Sequence, residues 1–198
     1  MISKSKLAIE LSKVPQFDNP KIKLEQYVTD SEIAAEILWH AYLEGDVKDK
    51  VIADFGAGTG TFSLGCILLD AKKVYAVEKD KDSIIVAKKL VKSKKCKFIC
   101  GEIKHFDKEV DTVIQNPPYG TKEKHADKEF LIKAFEVSKK IYSLHKINTA
   151  KFIEKITEDY GFKAKKIIRF KLPLKKSYHF HTKKRVIIDI GCWILEKR

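Results

Sequence analysis

The chain carries the sequence Asn116-Pro117-Pro118-Tyr119-Gly120 directly after the apolar stretch DTVIQ. Two consecutive prolines cannot continue a strand ladder and do not easily enter a helix, so this sequence predicts a rigid turn at a strand end. The Asn116 side-chain oxygen and the Pro117 carbonyl can accept the two hydrogens of an exocyclic amine. Tyr119 offers a ring on which a planar base can stack. The motif therefore predicts methylation of an amine on a planar group.

The proposed chemistry follows from the weakness of such an amine as a nucleophile, since its lone pair is delocalised into the ring. Hydrogen bonds to Asn116 and Pro117 would make the nitrogen more pyramidal and aim the lone pair at a methyl donor. Methyl transfer then requires proximity above all. The proton can leave to water, so no general base is required. Because Asn-Pro-Pro-Tyr serves adenine, cytosine and glutamine amide targets in known families, the motif alone leaves these three substrates open.

A glycine-rich segment, DFGAGTG, lies between the first predicted strand and its helix. Gly56, Gly58 and Gly60 let the backbone turn sharply and approach a ligand closely. In doubly wound sheets the ligand crevice lies at the carboxyl ends of the strands. Thr61 stands where a dinucleotide fingerprint needs its last glycine, which argues against a nicotinamide-dependent dehydrogenase. The spacing suits a nucleoside ligand without a pyrophosphate, such as S-adenosylmethionine.

Acidic residues near the predicted strand ends support that cofactor. Glu78 ends the second strand, where a carboxylate can accept hydrogen bonds from both ribose hydroxyls. Glu102 follows the third strand beside the apolar Ile103, where an acceptor can read an adenine amino group. Asp54 begins the glycine loop, where it can orient loop amides or meet the amino-acid part of the cofactor.

Apolar periodicity predicts seven strands that alternate with helices. The predicted strands are KVIADF, KKVYAVEKD, CKFICGE, EVDTVIQ, KIYSLH, KAKKIIRFKLPL and RVIIDIGCWILEK. The predicted helices are DSEIAAEILWHAYLEG, TFSLGCILLDA, DSIIVAKKLVKSK capped by Asp82 or Ser83, Asp127–Lys139 and Thr149–Tyr160. This alternation predicts an α/β, doubly wound, Rossmann-like sheet of seven strands that is mostly parallel. The glycine loop, the acid at the end of the second strand and NPPY after the fourth strand together indicate the methyltransferase form of that fold. The short polar loop between the last two strands predicts an antiparallel C-terminal hairpin.

Composition indicates a polyanionic partner. The 198 residues are 44% hydrophobic and carry a net charge of +13, from 40 Lys and Arg against 27 Asp and Glu. Such an excess favours nucleic acid, although a lysine-rich solvated surface, as in thermophilic proteins, is the alternative. No stretch approaches the ~20 apolar residues of a membrane span. The N-terminus lacks the features of a signal peptide, so we expect a cytoplasmic protein with no membrane partner.

The four cysteines, Cys66, Cys96, Cys100 and Cys192, form no CxxC pair. On a regular strand, Cys96 and Cys100 would lie about 13 Å apart. That separation is too long for a disulfide. The sequence therefore predicts buried free thiols.

A basic segment, KLPLKKSYHFHTKKR, joins the last two predicted strands and contains no acidic residue. Lysines and arginine interleaved with aromatic rings suit contacts to phosphates and bases, although a solvated hairpin loop is the alternative. Two histidines without further ligands do not predict a metal site. The predicted RNA-binding residues are Lys175, Lys176, Tyr178, His179, Phe180, His181, Lys183, Lys184 and Arg185.

Several separated segments resemble the methyltransferase-like-five proteins, which methylate N6 of an adenosine in small-subunit ribosomal RNA. The matching stretches are NPKIKLEQYVT (Asn19–Thr29), DFGAGTG with TFSLG, NPPYGTK (Asn116–Lys122), IYSLHK (Ile141–Lys146) and SYHFHTKKRVIIDI (Ser177–Ile190). They cover nearly the whole chain in order. LEQY and YSLHK are more discriminating than NPPY. The chain is similar to an archaeal-type member of this family.

The resemblance implies an enzyme that transfers a methyl group from S-adenosylmethionine to an adenosine of ribosomal RNA. We expect one methyltransferase domain over residues 1–198, with a helical, cofactor-closing extension over 1–48 and a catalytic core over 49–198. The expected catalytic residues are Asn116, Pro117, Pro118 and Tyr119. The expected cofactor-binding residues are Gln26, Tyr27, Thr29, Asp54, Gly56, Gly58, Gly60, Glu78, Glu102, Ile103 and Asn116.

The chain departs from its eukaryotic relatives at three matched positions. Tyr119 stands where they commonly carry Phe, which keeps the stacking ring and adds a hydroxyl. Glu78 and Glu102 stand where they carry Asp, so their longer side chains alter the implied contacts. The eukaryotic members rely on a small zinc-ribbon activator protein that pairs along a sheet edge, so an equivalent protein is a candidate partner here.

Two other functions are compatible with the same motifs. An N5-glutamine protein methyltransferase would share NPPY, but such enzymes usually carry an additional N-terminal helical domain and the charge here favours RNA. An RNA-binding ribosome-assembly factor with weak or lost catalysis would share the fold. The intact Asn116 and loop glycines argue against that second alternative.

Overall fold

The structure is a computed structural model that describes residues 2–17, 20–21, 24–119, 126–174 and 186–198. The predicted RNA-binding residues between 175 and 185 lie outside the described residues, so their role stays a prediction. None of the helices in the described part of the chain is long and apolar enough to cross a membrane.

One sheet contains seven strands of the described chain. They are β1 (Val51–Phe55), β2 (Lys73–Glu78), β3 (Cys96–Cys100), β4 (Thr112–Gln115), β5 (Lys140–Lys146), β6 (Phe162–Leu174) and β7 (Val186–Lys197). The strand order is β3-β2-β1-β4-β5-β7-β6. β7 runs antiparallel to both β5 and β6, whereas the other neighbours are parallel. The predicted mostly parallel sheet with an antiparallel C-terminal hairpin is confirmed.

Six α-helices surround the sheet in the described ranges. They are α1 (Lys4–Leu11), α2 (Ser31–Leu43), α3 (Thr61–Leu68), α4 (Lys81–Leu90), α5 (Ala126–Val137) and α6 (Ala150–Asp159), with short 3-10 turns at Ile103–His105 and Ile147–Thr149. The predicted cap of α4 at Asp82 or Ser83 is wrong. Asp80 is the N-cap, and its carboxylate accepts hydrogen bonds from the Asp82 amide and the Ser83 hydroxyl. The helix therefore begins almost as soon as β2 ends.

Apolar side chains cover both faces of the sheet. On one face α1, α2 and α3 contribute residues such as Leu7, Leu38 and Cys66. On the other face α5 and α6 pack residues such as Leu131 and Ile153. A parallel sheet buried on both faces explains why its central strands are almost continuously apolar. Its carboxyl edge is where loops can form a site.

The predicted buried thiols are confirmed in part. All four cysteines are free, and Cys66 and Cys192 are buried. The prediction is wrong for Cys100, which is exposed, while Cys96 is half-buried. Both belong to β3, which lies at one edge of the sheet, and Cys100 is its last residue. Side chains there have a neighbouring strand on one side only, so they are covered less completely.

Candidate active site

A cavity of about 590 Å³ opens at the carboxyl ends of the central strands. It is bounded by the glycine loop after β1, the end of β2, the turn after β3 and the NPPY segment after β4. It brings together eleven of the predicted site residues: Gln26, Tyr27, Thr29, Gly56, Gly58, Glu78, Glu102, Ile103, Asn116, Pro117 and Pro118. Asp54, Gly60 and Tyr119 are not among the lining residues.

At two positions of the glycine loop that line the cavity, the backbone accommodates only glycine. Gly56 and Gly58 have φ angles of +70° and +54°, in the left-handed region that side chains rarely adopt. A Cβ on Gly56 would lie 3.2 Å from the Phe130 ring, and one on Gly58 would lie 3.1 Å from the Phe17 ring. The amides of Gly56 and Ala57 donate to the Val77 carbonyl, which ties the loop to β2. The loop thus presents bare backbone between two rings.

Phe17 and Phe130 were not identified from the sequence. Phe17 lies in a coil after α1, where no periodicity points to a site. Phe130 lies on α5, where an aromatic residue in a helical pattern indicates core packing. Both line the cavity. Their apolar rings provide surface against which a purine or a thioether chain can pack.

Glu78 occupies the expected place at the end of β2. One carboxylate oxygen accepts a hydrogen bond from the Gly58 amide at 3.0 Å, and the other accepts one from the Asp80 amide at 2.9 Å. Burial raises the pKa of Glu78 above its ordinary value. Each oxygen can accept a further hydrogen bond. This geometry fits a ligand that offers a pair of hydroxyls, as a ribose does.

Asp54 is a buried residue of β1, just before the glycine loop. One of its carboxylate oxygens accepts a hydrogen bond from the Ser63 hydroxyl at 2.6 Å. The other oxygen has no hydrogen-bond partner within the described chain. Burial raises the pKa of Asp54 to about 7, although the hydrogen bonds from Ser63 oppose that rise. Asp54 is therefore a buried acid that holds its proton more strongly than a free aspartate does.

Residues 24–29 form a connecting segment that leads into α2 and crosses the cavity. The Gln26 side-chain amide donates to Asp80 at 2.7 Å and accepts from the Lys21 backbone amide at 2.8 Å. The Lys21 ammonium also pairs with Asp80. Burial alone would raise the pKa of Asp80, but the hydrogen bonds from Lys21, Gln26 and Ser83 lower it to about 2. The segment is thus held by a carboxylate that stays ionised.

The same segment holds the NPPY motif. The Tyr27 hydroxyl donates to Asn116 Oδ1 at 2.9 Å, and Asn116 Nδ2 donates to Thr29 Oγ1 at 3.0 Å. The Tyr119 hydroxyl hydrogen-bonds the Tyr27 hydroxyl. The Tyr119 amide donates to the Glu25 carboxylate at 2.9 Å. Alternate residues 25, 27 and 29 therefore face the motif, whereas Gln26 faces β2 and α4.

A buried polar chain supports the motif from below. The Gln115 side-chain amide donates to the Ser143 hydroxyl at 2.9 Å, and that hydroxyl lies 2.6 Å from His145 Nε2. Burial lowers the pKa of His145 to about 3, so its ring is neutral. The Ser143 hydroxyl and Nε2 share one hydrogen bond, whose direction depends on the tautomer of the ring. These contacts tie β4 to β5 next to Asn116 and assign a structural role to the YSLHK stretch.

Basic and acidic side chains both line the cavity, and a lysine lies beside the motif. Lys79, Lys104 and Lys133 line the cavity. Glu102 is exposed and pairs with Lys104, and that hydrogen bond lowers the pKa of its carboxyl. The Lys146 ammonium lies 5.2 Å from the centroid of the Tyr119 ring, over its face. Lys133 forms a similar pair with Glu136, so the described lining of the cavity carries no excess of positive charge, whereas Lys146 lies over the motif.

The lining fits the cofactor predicted from the sequence. The cavity is large enough for a nucleoside with an amino-acid tail. It combines bare glycine backbone, the Glu78 carboxylate, and the Phe17 and Phe130 rings. The hydroxyl of Thr59 is buried in the lining and has no hydrogen-bond partner among the residues described. A buried polar atom of this kind is expected to meet a polar group of a ligand.

Comparisons with known proteins agree on one kind of enzyme. The Methyltransferase small domain family matches residues 29–145. The rRNA N(6)-adenosine-methyltransferase METTL5 of Danio rerio is 35% identical over 91% of this chain and 92% of its own length. An uncharacterized protein of Methanocaldococcus jannaschii is 36% identical over 100% of this chain and 95% of its own.

A solved structure shows the same likeness. The crystal structure of a proposed RNA methyltransferase from Pyrococcus horikoshii has a TM-score of 0.93 and 43% sequence identity to this chain. The match covers 100% of this chain and 98% of that one.

Proposed function

The chain belongs to the Methyltransferase small domain family and to the methyltransferase-like-five proteins, and from this premise we propose that it methylates N6 of an adenosine in small-subunit ribosomal RNA. Family membership makes it an enzyme that uses S-adenosylmethionine, as the sequence predicts. When bound, this cofactor supplies an electrophilic methyl group on a sulfonium sulfur. The chain's own residues orient the amine that receives it.

One observation carries the proposal. Asn116 and Pro117, whose oxygens would accept hydrogen bonds from the target amine, line the same cavity as the glycine loop and Glu78. A cofactor held by the loop and an amine held by the motif would therefore meet within one cavity. Asn116 Oδ1 accepts one hydrogen bond, from Tyr27, and a carbonyl oxygen has capacity for a second. That remaining capacity is available to a hydrogen of the adenine N6 amine.

The proposed catalysis relies on position more than on proton transfer. Two acceptors, Asn116 Oδ1 and the Pro117 carbonyl, would fix the amine and direct its lone pair into the cavity. The prolines preset φ, so holding this geometry costs little conformational entropy. The proton leaves to water after the transfer. Tyr119 is the last residue of the NPPY motif, and its ring would support the adenine by stacking.

Charge and sequence similarity favour an RNA substrate over a protein glutamine. The net charge is +13. Lys146 lies beside the motif, where a phosphate of a bound strand would pass. Relatives from Danio rerio and Drosophila melanogaster are named as rRNA N(6)-adenosine-methyltransferases. A protein substrate would gain nothing from this charge unless it were acidic.

Within this proposal, residues 1–198 act as one methyltransferase domain. Residues 1–48 supply α1, α2 and the connecting segment over the cavity, and residues 49–198 supply the catalytic core. The contacts of Gln26 with Asp80 and of Tyr27 with Asn116 support this division of roles. In this proposal one short segment contacts both the cofactor and the substrate sides of the cavity.

A small zinc-ribbon activator remains the proposed protein partner. Among the described strands, β3 and β6 are the two edges of the sheet. β6 exposes a row of basic side chains: Lys163, Lys165, Lys166, Arg169 and Lys171. β3 is shorter and carries half-buried Phe98 and Ile99. A short edge strand with apolar side chains suits pairing with a strand of another protein, so β3 is the proposed contact.

Asn116→Ala tests the proposed role of the motif. We expect transfer from labelled S-adenosylmethionine to unmethylated small-subunit RNA to fall at least about 100-fold, since an aligning hydrogen bond and its geometry are both lost. Cofactor affinity, measured by calorimetry, should fall far less than transfer does, because the loop, Glu78 and the Gln26–Asp80 contact that holds the connecting segment are intact. The matched control is Asn148→Ala, at an exposed position outside the cavity lining.

Each assay is run with and without a candidate activator. Methyl groups found on N6 of adenosine in the wild-type reaction support the proposal. Transfer to a protein glutamine instead, or an equal loss of cofactor binding and transfer in Asn116→Ala, contradicts it.

A further inference from the structure

The side-chain amide of Asn116 is fixed at both ends before any substrate is present. Its oxygen accepts from the Tyr27 hydroxyl at 2.9 Å, and its nitrogen donates to Thr29 Oγ1 at 3.0 Å. An asparagine amide that rotates by half a turn exchanges its oxygen and its NH₂ group. An NH₂ group in place of the oxygen would repel the hydrogens of an incoming amine. Whatever fixes this rotation therefore decides whether the motif can work.

The direction of the hydrogen bonds follows from counting hydrogens. A tyrosine hydroxyl has one hydrogen. The Tyr27 hydroxyl uses its hydrogen to reach Asn116 Oδ1, so in its contact with Tyr119 it must accept. The Tyr119 hydroxyl is then the donor. The chain of donation runs from Tyr119 to Tyr27 to Asn116.

Both hydroxyls keep their protons at neutral pH. Burial raises the pKa of Tyr27 well above its ordinary value and raises the pKa of Tyr119 to about 12. Neither hydroxyl can therefore act as a base near pH 7. They serve as oriented donors, and linked donors polarise one another so that each bond strengthens the next.

We propose that the Tyr119 hydroxyl is a positioning group which, through the Tyr27 hydroxyl, holds the Asn116 amide with its oxygen toward the target amine. This inference rests on the proposed function. It gives Tyr119 two separable parts. The ring stacks on the base, and the hydroxyl begins the chain of hydrogen bonds from Tyr119 through Tyr27 to Asn116, which we call the relay. The Tyr119 hydroxyl bonds the Tyr27 hydroxyl, which in turn bonds Asn116, so it acts on the amine through Tyr27 and Asn116.

The relay also depends on the connecting segment. Tyr27 and Thr29 contact the two ends of one amide, and Glu25 accepts from the Tyr119 backbone amide at 2.9 Å. Tyr27 and Asn116 are 89 positions apart in the chain. The productive rotation of Asn116 thus exists only when the connecting segment lies across the cavity.

Kinetics of single and double variants test the relay. Tyr119→Phe should lower kcat about 3- to 10-fold, the value of one ordinary hydrogen bond, with the KM for S-adenosylmethionine unchanged. Tyr27→Phe should lower kcat by at least as much. The double variant should be no slower than Tyr27→Phe alone, because Tyr119 acts only through Tyr27. Effects that multiply, or a change in KM with kcat unchanged, would overturn the relay.

Conservative variants distinguish positioning from packing. Thr29→Ser keeps the hydroxyl that accepts from Asn116 and should retain kcat, whereas Thr29→Val should lose it. Tyr142→Phe is the matched control, since it removes a hydroxyl that donates to Asp46 at 2.7 Å outside the cavity lining. That variant should lower the melting temperature and leave kcat unchanged. A comparable fall of kcat in Tyr142→Phe would assign the effects to stability instead.

A second measurement needs no catalysis. In protein labelled at the Cζ carbon of tyrosine, NMR in mixed light and heavy water reports how fast each hydroxyl proton exchanges. The Tyr27 hydroxyl should exchange slowly in the wild type and faster in Tyr119→Phe. Unchanged exchange would contradict the relay even if the enzyme methylates RNA. If no RNA is methylated but Tyr27 responds as expected, the proposed function fails and the relay stands.

Discussion

At the scale of single residues, burial decides what each polar group can do. Asp54 lies under the glycine loop with one oxygen bonded to Ser63 and the other without a partner in the described structure. Water is excluded there, so ionisation is costly. Glu78 is also buried, yet two backbone amides bond its carboxylate. The two acids therefore differ in environment: Asp54 has an oxygen without a partner in the described structure, whereas both oxygens of Glu78 are bonded by amides and Glu78 lines the cavity.

Asp54→Asn tests the buried charge. The pKa of Asp54 is about 7 in the folded protein against an ordinary value of 3.8. Between these values the folded state binds more protons than the unfolded state, so this group lowers the free energy of unfolding as pH rises from about 4 to about 7. From pH 5 to pH 8, the wild type should lose about 2–3 kcal/mol relative to the variant.

Urea unfolding at several pH values measures that difference. Asp159→Asn, at an exposed position on α6, is the control and should differ from the wild type by a constant amount. A gap between the wild type and Asp54→Asn that does not change with pH would show that Asp54 is not a titrating buried acid.

At the scale of elements, the glycine loop and the connecting segment position the site. The loop offers backbone because its φ angles and the neighbouring rings leave no room for side chains. The connecting segment alternates its contacts between Asp80 and the NPPY motif. A change in either element should therefore alter ligand binding more than it alters the fold.

Gly58→Ala should weaken S-adenosylmethionine binding at least about 10-fold, because alanine is strained at φ +54° and its Cβ would lie 3.1 Å from Phe17. Gly45→Ala provides a matched control. Gly45 also has a positive φ, +77°, but a Cβ there would have nothing within 4 Å. Its variant should lower stability by about 1 kcal/mol with cofactor affinity intact. Equal affinity losses in calorimetry would refute a specific role of the loop.

Gln26→Ala should lower cofactor affinity about 10-fold, since it removes the hydrogen bond to the ionised Asp80 that holds the connecting segment. Gln16→Ala, at an exposed position outside the cavity lining, should have no such effect. Calorimetric titration of both variants checks this. Wild-type affinity in Gln26→Ala would mean that the segment does not contribute to the cofactor site.

The elements themselves could be predicted from the sequence because their signals are local. Strand and helix periodicity gave the sheet and its C-terminal hairpin, and the glycine and proline motifs gave the strand ends of the site. The sequence predicts the wrong start for α4 because its cap, Asp80, lies only two positions after the end of β2 and continues the predicted strand KKVYAVEKD. The contacts of Tyr27 with Asn116 could not be predicted, since they join residues 89 positions apart through tertiary packing.

At the scale of the whole molecule, the sheet sets where each partner can approach. The cavity lies at the carboxyl edge, the β6 edge is basic, and the β3 edge carries half-buried apolar side chains. This arrangement separates the cavity, where the cofactor and the target adenine are proposed to meet, from the β3 edge, where a protein partner is proposed to pair. Composition predicted a polyanionic partner but could not predict this separation, because charge totals contain no positions.

The most direct test of the central claim is a mass-spectrometric map of N6-methyladenosine in small-subunit ribosomal RNA from cells that lack the gene. The account predicts that one N6-methyladenosine present in the parent strain disappears. It should return when the wild-type gene is restored, and it should stay absent when the Asn116→Ala gene is supplied at equal protein level. An unchanged map in the deletion strain, or restoration by Asn116→Ala, would contradict the account.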